Sequence, residues 1–227
     1  GRFNLDTHQA PHRVLQQEDL FILSKGHSVG ALYVALWSLG RLSEDDLKTF
    51  HRDGTHLGGH PAPRWRDDIP FAAGSLGHGF PFACGCALAK RLQNEKGRVF
   101  CLCSDGEWQE GSNWEALIFA ARHRLESLTL LIDRNGLQGF GTTEEVAGLG
   151  SLKTRFESFG IPMLEIDGHD PETIRRVLSE DTRGPRAIAL RTIKGHGVSF
   201  MENRVEWHYL PMTDEQYRQA LAEQVRP

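Results

Sequence analysis

The sequence predicts an α/β fold: a doubly wound, mostly parallel sheet with helices on both faces. Three observations predict it. Short apolar runs at 98–103 (RVFCLC), 128–132 (LTLLI) and 186–192 (RAIALRT) read as buried strands, and helical patterns fill the intervals between them. Strands that alternate with helices require right-handed crossovers, and these place the strands parallel. The length, 227 residues, suits one domain over 1–227, with 196–227 as a C-terminal arm and helix.

The elements follow in order. Residues 28–39 (SVGALYVALWSL) form an apolar helix that stops at Gly40. Ser43 with Asp46 starts a short second helix through Phe50. Residues 51–74 are rich in Gly, Pro and His without a period and read as a structured loop. Residues 78–93 are helical again, with Gly79, Ala83, Gly85 and Ala87 allowing close packing. After the strand at 98–103, Ser112-Asn-Trp-Glu115 reads as a capping box opening a helix to about His123. After the strand at 128–132, Ser151 begins a helix that Gly160 ends, 162–166 is a strand and 171–179 a helix. The strand at 186–192 leads into an irregular arm at 196–212, and a surface helix follows Thr213-x-x-Gln216.

Composition narrows the function classes. Hydrophobic residues make up 39% and charged residues 25%, as in an ordinary soluble globular protein. The net charge is −4, and no basic face or arginine run points to nucleic acid. No apolar run approaches the ~18–20 residues that span a bilayer. No signal-peptide pattern is present, in a chain whose first residue is a glycine. The cysteines fall as Cys84-x-Cys86 and Cys101-x-Cys103, without the two-residue spacer common in structural zinc sites. Cys101 and Cys103 share one face of a strand, where a free thiol acts as a small apolar group. A reducing, cytoplasmic setting is expected.

The sharpest signal lies between residues 104 and 137. Ser104-Asp105-Gly106-Glu107 follows one buried strand and Asp133-Arg134-Asn135-Gly136-Leu137 the next, with one helix between. Both loops therefore leave the carboxyl edge of neighbouring parallel strands, where open α/β sheets bind ligands. Magnesium seeks oxygen ligands and is usually shared with phosphate. Asp105 offers a carboxylate, Asn135 an amide oxygen, and a loop carbonyl such as that of Leu137 a third ligand. Gly106 lets the backbone approach phosphate closely. An Asp-Gly after a strand is also an ordinary turn; an Asn thirty residues on, after a second strand, weakens that reading.

The run SDGEWQEG, then WEALIFAARHRL, then LLIDRNGLQ resembles the thiamine-diphosphate motif, and more narrowly its transketolase version, in which Gln-Glu-Gly follows the opening. Ser104 stands where the motif has its first glycine, and Arg134 where several residues occur in relatives. The resemblance implies a thiamin-diphosphate-binding fold, with Asp105, Asn135 and the Leu137 carbonyl holding magnesium. It also implies backbone contacts from Gly106 and Glu107 to the diphosphate, and Glu110 at a dimer interface.

Four further contexts carry histidines or lysines. Leu23-Ser-Lys25-Gly-His27 precedes an apolar helix, where His27 could simply cap and where anions also bind; it is similar to the transketolase Ser-Lys-Gly-His motif, whose Lys and His face cofactor and substrate. His56 and His60 have a spacing of four, but Gly58, Gly59 and Pro61 oppose the helix that a His-x3-His metal site needs. The resemblance assigns His60, in Gly-His-Pro, to the hydroxyketone end of the donor. Gly74-Ser-Leu76-Gly-His78-Gly reads as a helix-entry loop and resembles the transketolase loop whose Gly74 and Leu76 backbone binds the aminopyrimidine. His78 stands where Gln is common, a substitution associated with two-subunit members. Thr192-Ile-Lys194-Gly-His-Gly with Glu206-Trp-His208 matches the pattern that brings Lys194 and His208 toward diphosphate and substrate. A solvated lysine is the plain alternative, and Tyr209 stands where Gly is usual.

The resemblance runs from about Leu20 to Ala220, upstream of which relatives carry a Gly-His-x-Gly segment, and the chain stops before a pyrimidine-binding domain. In this family the glutamate that promotes removal of the cofactor's C2 proton comes from that domain. The resemblance thus implies the first subunit of a split transketolase, with a companion chain supplying the Glu in an α2β2 heterotetramer. A ketose would donate a two-carbon ketol unit to an acceptor that the sequence does not identify. His60 would bind donor hydroxyls, and His27 and His208 would shuttle protons. The alternatives are another thiamine-diphosphate enzyme of the 2-oxoacid dehydrogenase or deoxyxylulose-phosphate-synthase kind, a magnesium phosphohydrolase, and a non-catalytic cofactor-binding subunit.

Overall fold

A computed structural model describes residues 19–63, 68–181 and 183–224, and the structural statements below concern these. Part of the expected single domain, residues 1–18, lies outside them.

The chain enters on β1 (Leu20–Leu23), passes a 3-10 turn at Gly26–Ser28, and forms α1 (Val29–Ser38) and α2 (Glu44–Leu47). A long loop leads to α3 (Gly79–Leu92) and β2 (Val99–Ser104). After a 3-10 turn at Gly106–Gln109 come α4 (Gly111–His123) and β3 (Leu128–Arg134). A small hairpin of β4 (Leu137–Gln138) and β5 (Gly141–Thr142) then runs into α5 (Thr143–Ala147) and α6 (Leu152–Ser158). The chain continues through β6 (Met163–Asp167), α7 (Pro171–Ser179) and β7 (Arg186–Arg191). A 3-10 turn at Val205–His208 and α8 (Asp214–Gln224) complete it.

Five strands form one parallel sheet in the order β1-β2-β3-β7-β6. The chain steps outward through β1, β2 and β3, jumps to the far edge at β6 and returns to β7. That reversal puts helices on opposite faces. Alternate residues of the strands make the two faces. Cys101, Cys103, Leu130, Ile132, Ala187 and Ala189 pack under α3, α4 and Phe156 of α6, with Trp108 fully buried among them. Leu131, Ile166 and Ile188 face the other way, against Val177 of α7. The thiols of Cys101 and Cys103 lie on the first face as the alternation predicts, 3.8 Å apart and fully buried. All four cysteines are free. None of the described helices is long and apolar enough to cross a membrane.

One strand was not foreseen, and two expectations need correcting. β1 carries no signal in the sequence: a run of four residues has no period to read, and it is a strand because its backbone pairs with β2 from Leu20↔Val99 to Leu23↔Leu102. The capping box at Ser112 does not form. The helix begins two residues earlier than a Ser112 cap requires, at Gly111, with Glu110 at the N-cap position, and Ser112 Oγ instead donates to the Gly77 carbonyl at 2.6 Å. Boxes do form at Ser43/Asp46 and Thr142/Glu145, where the hydroxyl has no tertiary partner competing for it. The second helix is also shorter than its pattern suggests: α2 ends at Leu47, and turns carry the chain to Phe50. Other boundaries differ by one or two residues, the usual uncertainty at element ends.

The Ser112 contact pins the loop before α3 to the start of α4, and Gly77 makes the approach possible. Its φ is +77°, and a Cβ there would lie 2.5 Å from Ser112 Oγ and 2.7 Å from Glu110 Cβ. Gly54 has a similar φ of +72° with open space around it. Gly54→Ala is therefore expected to cost only about 1–2 kcal/mol of left-handed backbone strain. Gly77→Ala should cost about 2–4 kcal/mol, with overpacking added to the same strain. Urea denaturation of the two variants checks this; equal losses would remove the packing argument.

Candidate active site

Parallel strands end at the same edge, so the loops that follow them meet. Hydrogen bonds carry the ladder past the strand ends: Lys25 N–H donates to Leu102 O (3.2 Å), Asp105 N–H to Asp133 O (3.1 Å), and Thr192 N–H to Arg134 O (3.3 Å). Lys25 and His27 after β1, Asp105 and Gly106 after β2, Asn135 after β3 and Lys194 after β7 are thus delivered to one place. There all of them but Asp105, which lies just beneath, border a pocket of about 450 Å³, whose walls also include Gly74, Leu76, Glu110, Leu137 and His208. That volume lies within the usual range for small-molecule sites. A larger hollow of about 650 Å³ lies at the opposite edge, among Arg124, Arg186 and Phe159, away from these residues.

Asp105 lies beneath the pocket wall, 5% exposed. Its two oxygens accept N–H bonds from Gly106 (2.8 Å) and from Gly136 of the neighbouring loop (2.6 Å). Burial pushes its carboxyl above the usual range despite those bonds, and Asp133 nearby adds to the effect. A buried carboxylate in that state gains from a cation beside it. Asn135 Oδ1 accepts the Leu137 N–H at 2.9 Å, and its Nδ2 donates to Asp133 Oδ2 at 3.2 Å. Each of these oxygens keeps a lone pair beyond the bonds it makes.

Glu107 faces inward. Its carboxylate is fully buried and accepts from Ser24 Oγ, from Gly77 N–H (3.0 Å) and from Ser104 N–H (3.3 Å). Its own N–H donates to Ser104 Oγ at 3.2 Å. Of the two backbone contacts that the family resemblance implied, Gly106 therefore borders the pocket and Glu107 does not. Glu107 joins the segments after β1, before α3 and after β2, and burial raises its carboxyl above the ordinary range. Ser104 serves as an ordinary strand residue, without a positive φ.

Three histidines cluster at the pocket mouth. His27 Nδ1 and His208 Nε2 are 2.8 Å apart, and the His60 ring lies 5.1 Å from that of His27. The His60 ring packs so close to Gly26 that a Cβ there would come within 3.0 Å of it. His27 does not cap α1, whose N-cap position is Ser28. Desolvation, then His60 and Lys194, push the His27 imidazole below its usual pKa. Desolvation, then Lys194, His27 and Lys25, bring His208 down to about 4. His78 turns to its own loop, its Nδ1–H donating to Leu76 O at 2.9 Å.

Two lysines flank the strand ends. Lys25 forms an ion pair with Asp133, while the Lys194 ammonium has no direct hydrogen bond or ion pair among the described residues. Desolvation and then Lys25 lower its pKa, against the pull of Asp133. A half-buried, unpaired ammonium suits an anionic ligand. Carboxylate and amide oxygens nearby suit a hard divalent cation shared with it, and Gly106, with no side chain, lets the backbone come close, its N–H bonded to Asp105 and the Gln138 carboxamide laid against it. The residues present thus fit magnesium and a diphosphate.

Asp133 escaped the sequence reading, because a carboxylate one residue from a strand end reads as an edge charge. So did Gln138 and Phe140, which also border the pocket together with Trp207 and Tyr209 of the His208 motif. Trp207 steadies the arm by donating Nε1–H to Phe200 O at 2.8 Å. Tyr209 lays its hydroxyl against Gly139 of the hairpin.

Comparison with known proteins shows the family. Residues 4–224 match the family model described as "Transketolase, thiamine diphosphate binding domain". The chain is 38% identical over 210 residues to one of the subunits of apulose-4-phosphate transketolase from Phocaeicola vulgatus, covering 91% of this chain and 74% of that one. It is 37% identical over 210 residues to the 6-deoxy-6-sulfo-D-fructose transketolase subunit SqwG of a Clostridium species, covering 91% and 76%. Among solved structures, transketolase from Leishmania mexicana superposes with a TM-score of 0.85 at 25% identity, and that from Campylobacter jejuni with 0.80 at 30%. The chain spans 34% of the length of each of those two structures.

The histidine pair makes a pH prediction. An imidazole with a folded pKa near 4 and an unfolded value near 6.5 resists protonation only when folded. The unfolded chain then binds the extra proton, so stability falls with pH below about 6.5 and its loss is complete below about 4. A His208→Gln variant is expected to show a flatter stability profile between those limits in urea titrations. Identical profiles would mean that the imidazole is not held neutral.

Proposed function

Because the chain belongs to the transketolase family, through its thiamine diphosphate binding domain, we propose that it is the diphosphate-binding subunit of a two-component transketolase. The reaction is transfer of a two-carbon ketol unit from a ketose donor to an acceptor. The single observation that carries this reading is the convergence of four strand-end segments on one pocket, with Asp105 and Asn135 tied together through the Gly136 loop. Relatives named as transketolase subunits support the split arrangement.

In this reading Asp105, Asn135 and the Leu137 carbonyl would hold Mg²⁺, and Lys25, Lys194 and the backbone at Gly106, whose N–H would turn from Asp105 to the ligand, would receive the diphosphate. Gly74 and Leu76 border the pocket where the cofactor's rings would lie. Bound thiamine diphosphate supplies the electron sink that lets a ketose be cleaved beside its carbonyl. The chain's own part is to orient, to exclude water and to handle protons. His27 and His208 are neutral at pH 7, so each offers one N–H and one lone pair. Their 2.8 Å contact lets a proton pass between Nδ1 of one and Nε2 of the other. His60, beside His27, would bind the donor hydroxyls. Glu110, at the pocket rim, faces the partner subunit, which brings a pyrimidine-binding domain and its glutamate in an α2β2 assembly. The setting proposed is cytoplasmic.

The test is to purify the chain with the product of its neighbouring reading frame and to assay ketoses and pyruvate as donors, with thiamine diphosphate and Mg²⁺. Ketol transfer from a ketose is expected; turnover of pyruvate alone would favour another thiamine enzyme. Asp105→Ala is expected to weaken Mg²⁺-dependent cofactor binding by more than about 100-fold. His60→Ala should leave that binding unchanged while kcat/KM for the donor falls about 10–100-fold, the worth of a lost hydrogen bond. Calorimetry and initial rates separate the two.

A further inference from the structure

The Asp133 carboxylate sits where three strand ends meet, and every bond it accepts comes from a different segment. Oδ2 accepts from Lys25 Nζ, beyond β1, and from Asn135 Nδ2 at 3.2 Å, beyond β3. Oδ1 accepts from Thr192 Oγ1, beyond β7. The side chain is 20% exposed and that of Lys25 is 17% exposed, so both are largely withdrawn from water.

The chemistry of an amide makes this arrangement consequential. The two ends of an asparagine side chain are opposite in character: one donates, the other accepts. An asparagine that offers its oxygen to a cation must send its NH2 elsewhere, to an acceptor. Asp133 is that acceptor for Asn135. The Leu137 N–H, bound to Oδ1 at 2.9 Å, enforces the same flip from the other end. The same carboxylate also anchors the Lys25 ammonium.

We propose that Asp133 is a positioning residue: it fixes the flip of the Asn135 amide so that Oδ1 is available to a divalent cation, and it sets the Lys25 ammonium beside the same anion site. The inference rests on the proposed function, since it concerns a cation held by Asn135. Asp133 itself touches neither cation nor cofactor. Partners of this kind change metal affinity by about 10–100-fold when removed.

The experiment uses the complex of the chain with its companion chain and follows Mn²⁺ binding in the presence of thiamine diphosphate by electron paramagnetic resonance. Asp133→Asn retains size but cannot accept from every donor around it. The expected result is Mn²⁺ affinity lower by about 10–100-fold, with an unchanged circular dichroism spectrum and cofactor uptake restored at correspondingly higher Mn²⁺. The exchange D133N/N135D restores one donor facing one acceptor and puts a carboxylate, which has no wrong flip, at position 135. It is expected to recover affinity to within about threefold of wild type, by the same logic of paired donor and acceptor. Wild-type affinity in D133N would overturn the proposal, as would an exchanged pair no better than the single variant. If D133N does not fold, the exchanged pair decides alone: near-wild-type affinity upholds the proposal and weak affinity overturns it. Wild-type complex that takes up no Mn²⁺ would instead count against the proposed function.

Discussion

The parallel pairing of β2 with β3 is the constraint on which the site depends. Its register sets Ser104 opposite Asp133, so the residues that follow each strand emerge side by side. A one-residue slip would turn every side chain of one strand to the opposite face of the sheet. Asp105 would then no longer lie beneath the Gly136 loop. The fully buried Cys101, Cys103, Leu130 and Ile132 hold that register by hydrophobic burial on one face. Leu131, on the opposite face against α7, prevents the slip from being neutral. The core thereby determines where the polar loops meet.

Electrostatics in the pocket follows from the same convergence. Each ionisable group where the strand ends meet is at least partly withdrawn from water, and each responds according to its sign. Asp105 and Glu107 are pushed up by burial, while His27, His208 and Lys194 are pushed down by it. Asp133 goes the other way: burial opposes its charge, but Lys25, Thr192 and Asn135 together hold it below the ordinary range. The pocket thus presents an under-compensated carboxylate, an unpaired ammonium and neutral imidazoles. That combination suits a ligand bearing both a cation and an anion, beside imidazoles held in the neutral form.

Much of this was legible in the sequence, for identifiable reasons. The strands at 99–104, 128–134 and 186–191 were readable because strands covered on both faces are almost continuously apolar. The pairing of Asp105 with Asn135 was readable because one helix between two strands forces adjacent, parallel neighbours. What was hidden depended on tertiary contacts. β1 is a strand only because β2 pairs with it. The two-residue strands of the 137–142 hairpin are too short for any period. Ser112 had the spacing of a cap, but its hydroxyl was taken by Gly77. Glu107 was expected to meet the diphosphate through its backbone, yet three donors from three segments draw its carboxylate inside. Asp133 was concealed in the same way, since nothing local announces that Lys25 and Thr192 will arrive beside it.

The central claim is that two adjacent strand ends share one divalent ion. Crystals of the chain with its partner, grown with thiamine diphosphate and Mn²⁺, would locate that ion by anomalous scattering at the manganese edge. The account predicts one peak in the pocket, with the Asp105 carboxylate, the Asn135 amide oxygen and the Leu137 carbonyl all within about 2.0–2.3 Å. A peak elsewhere, or one that touches Asp105 without Asn135, would contradict it.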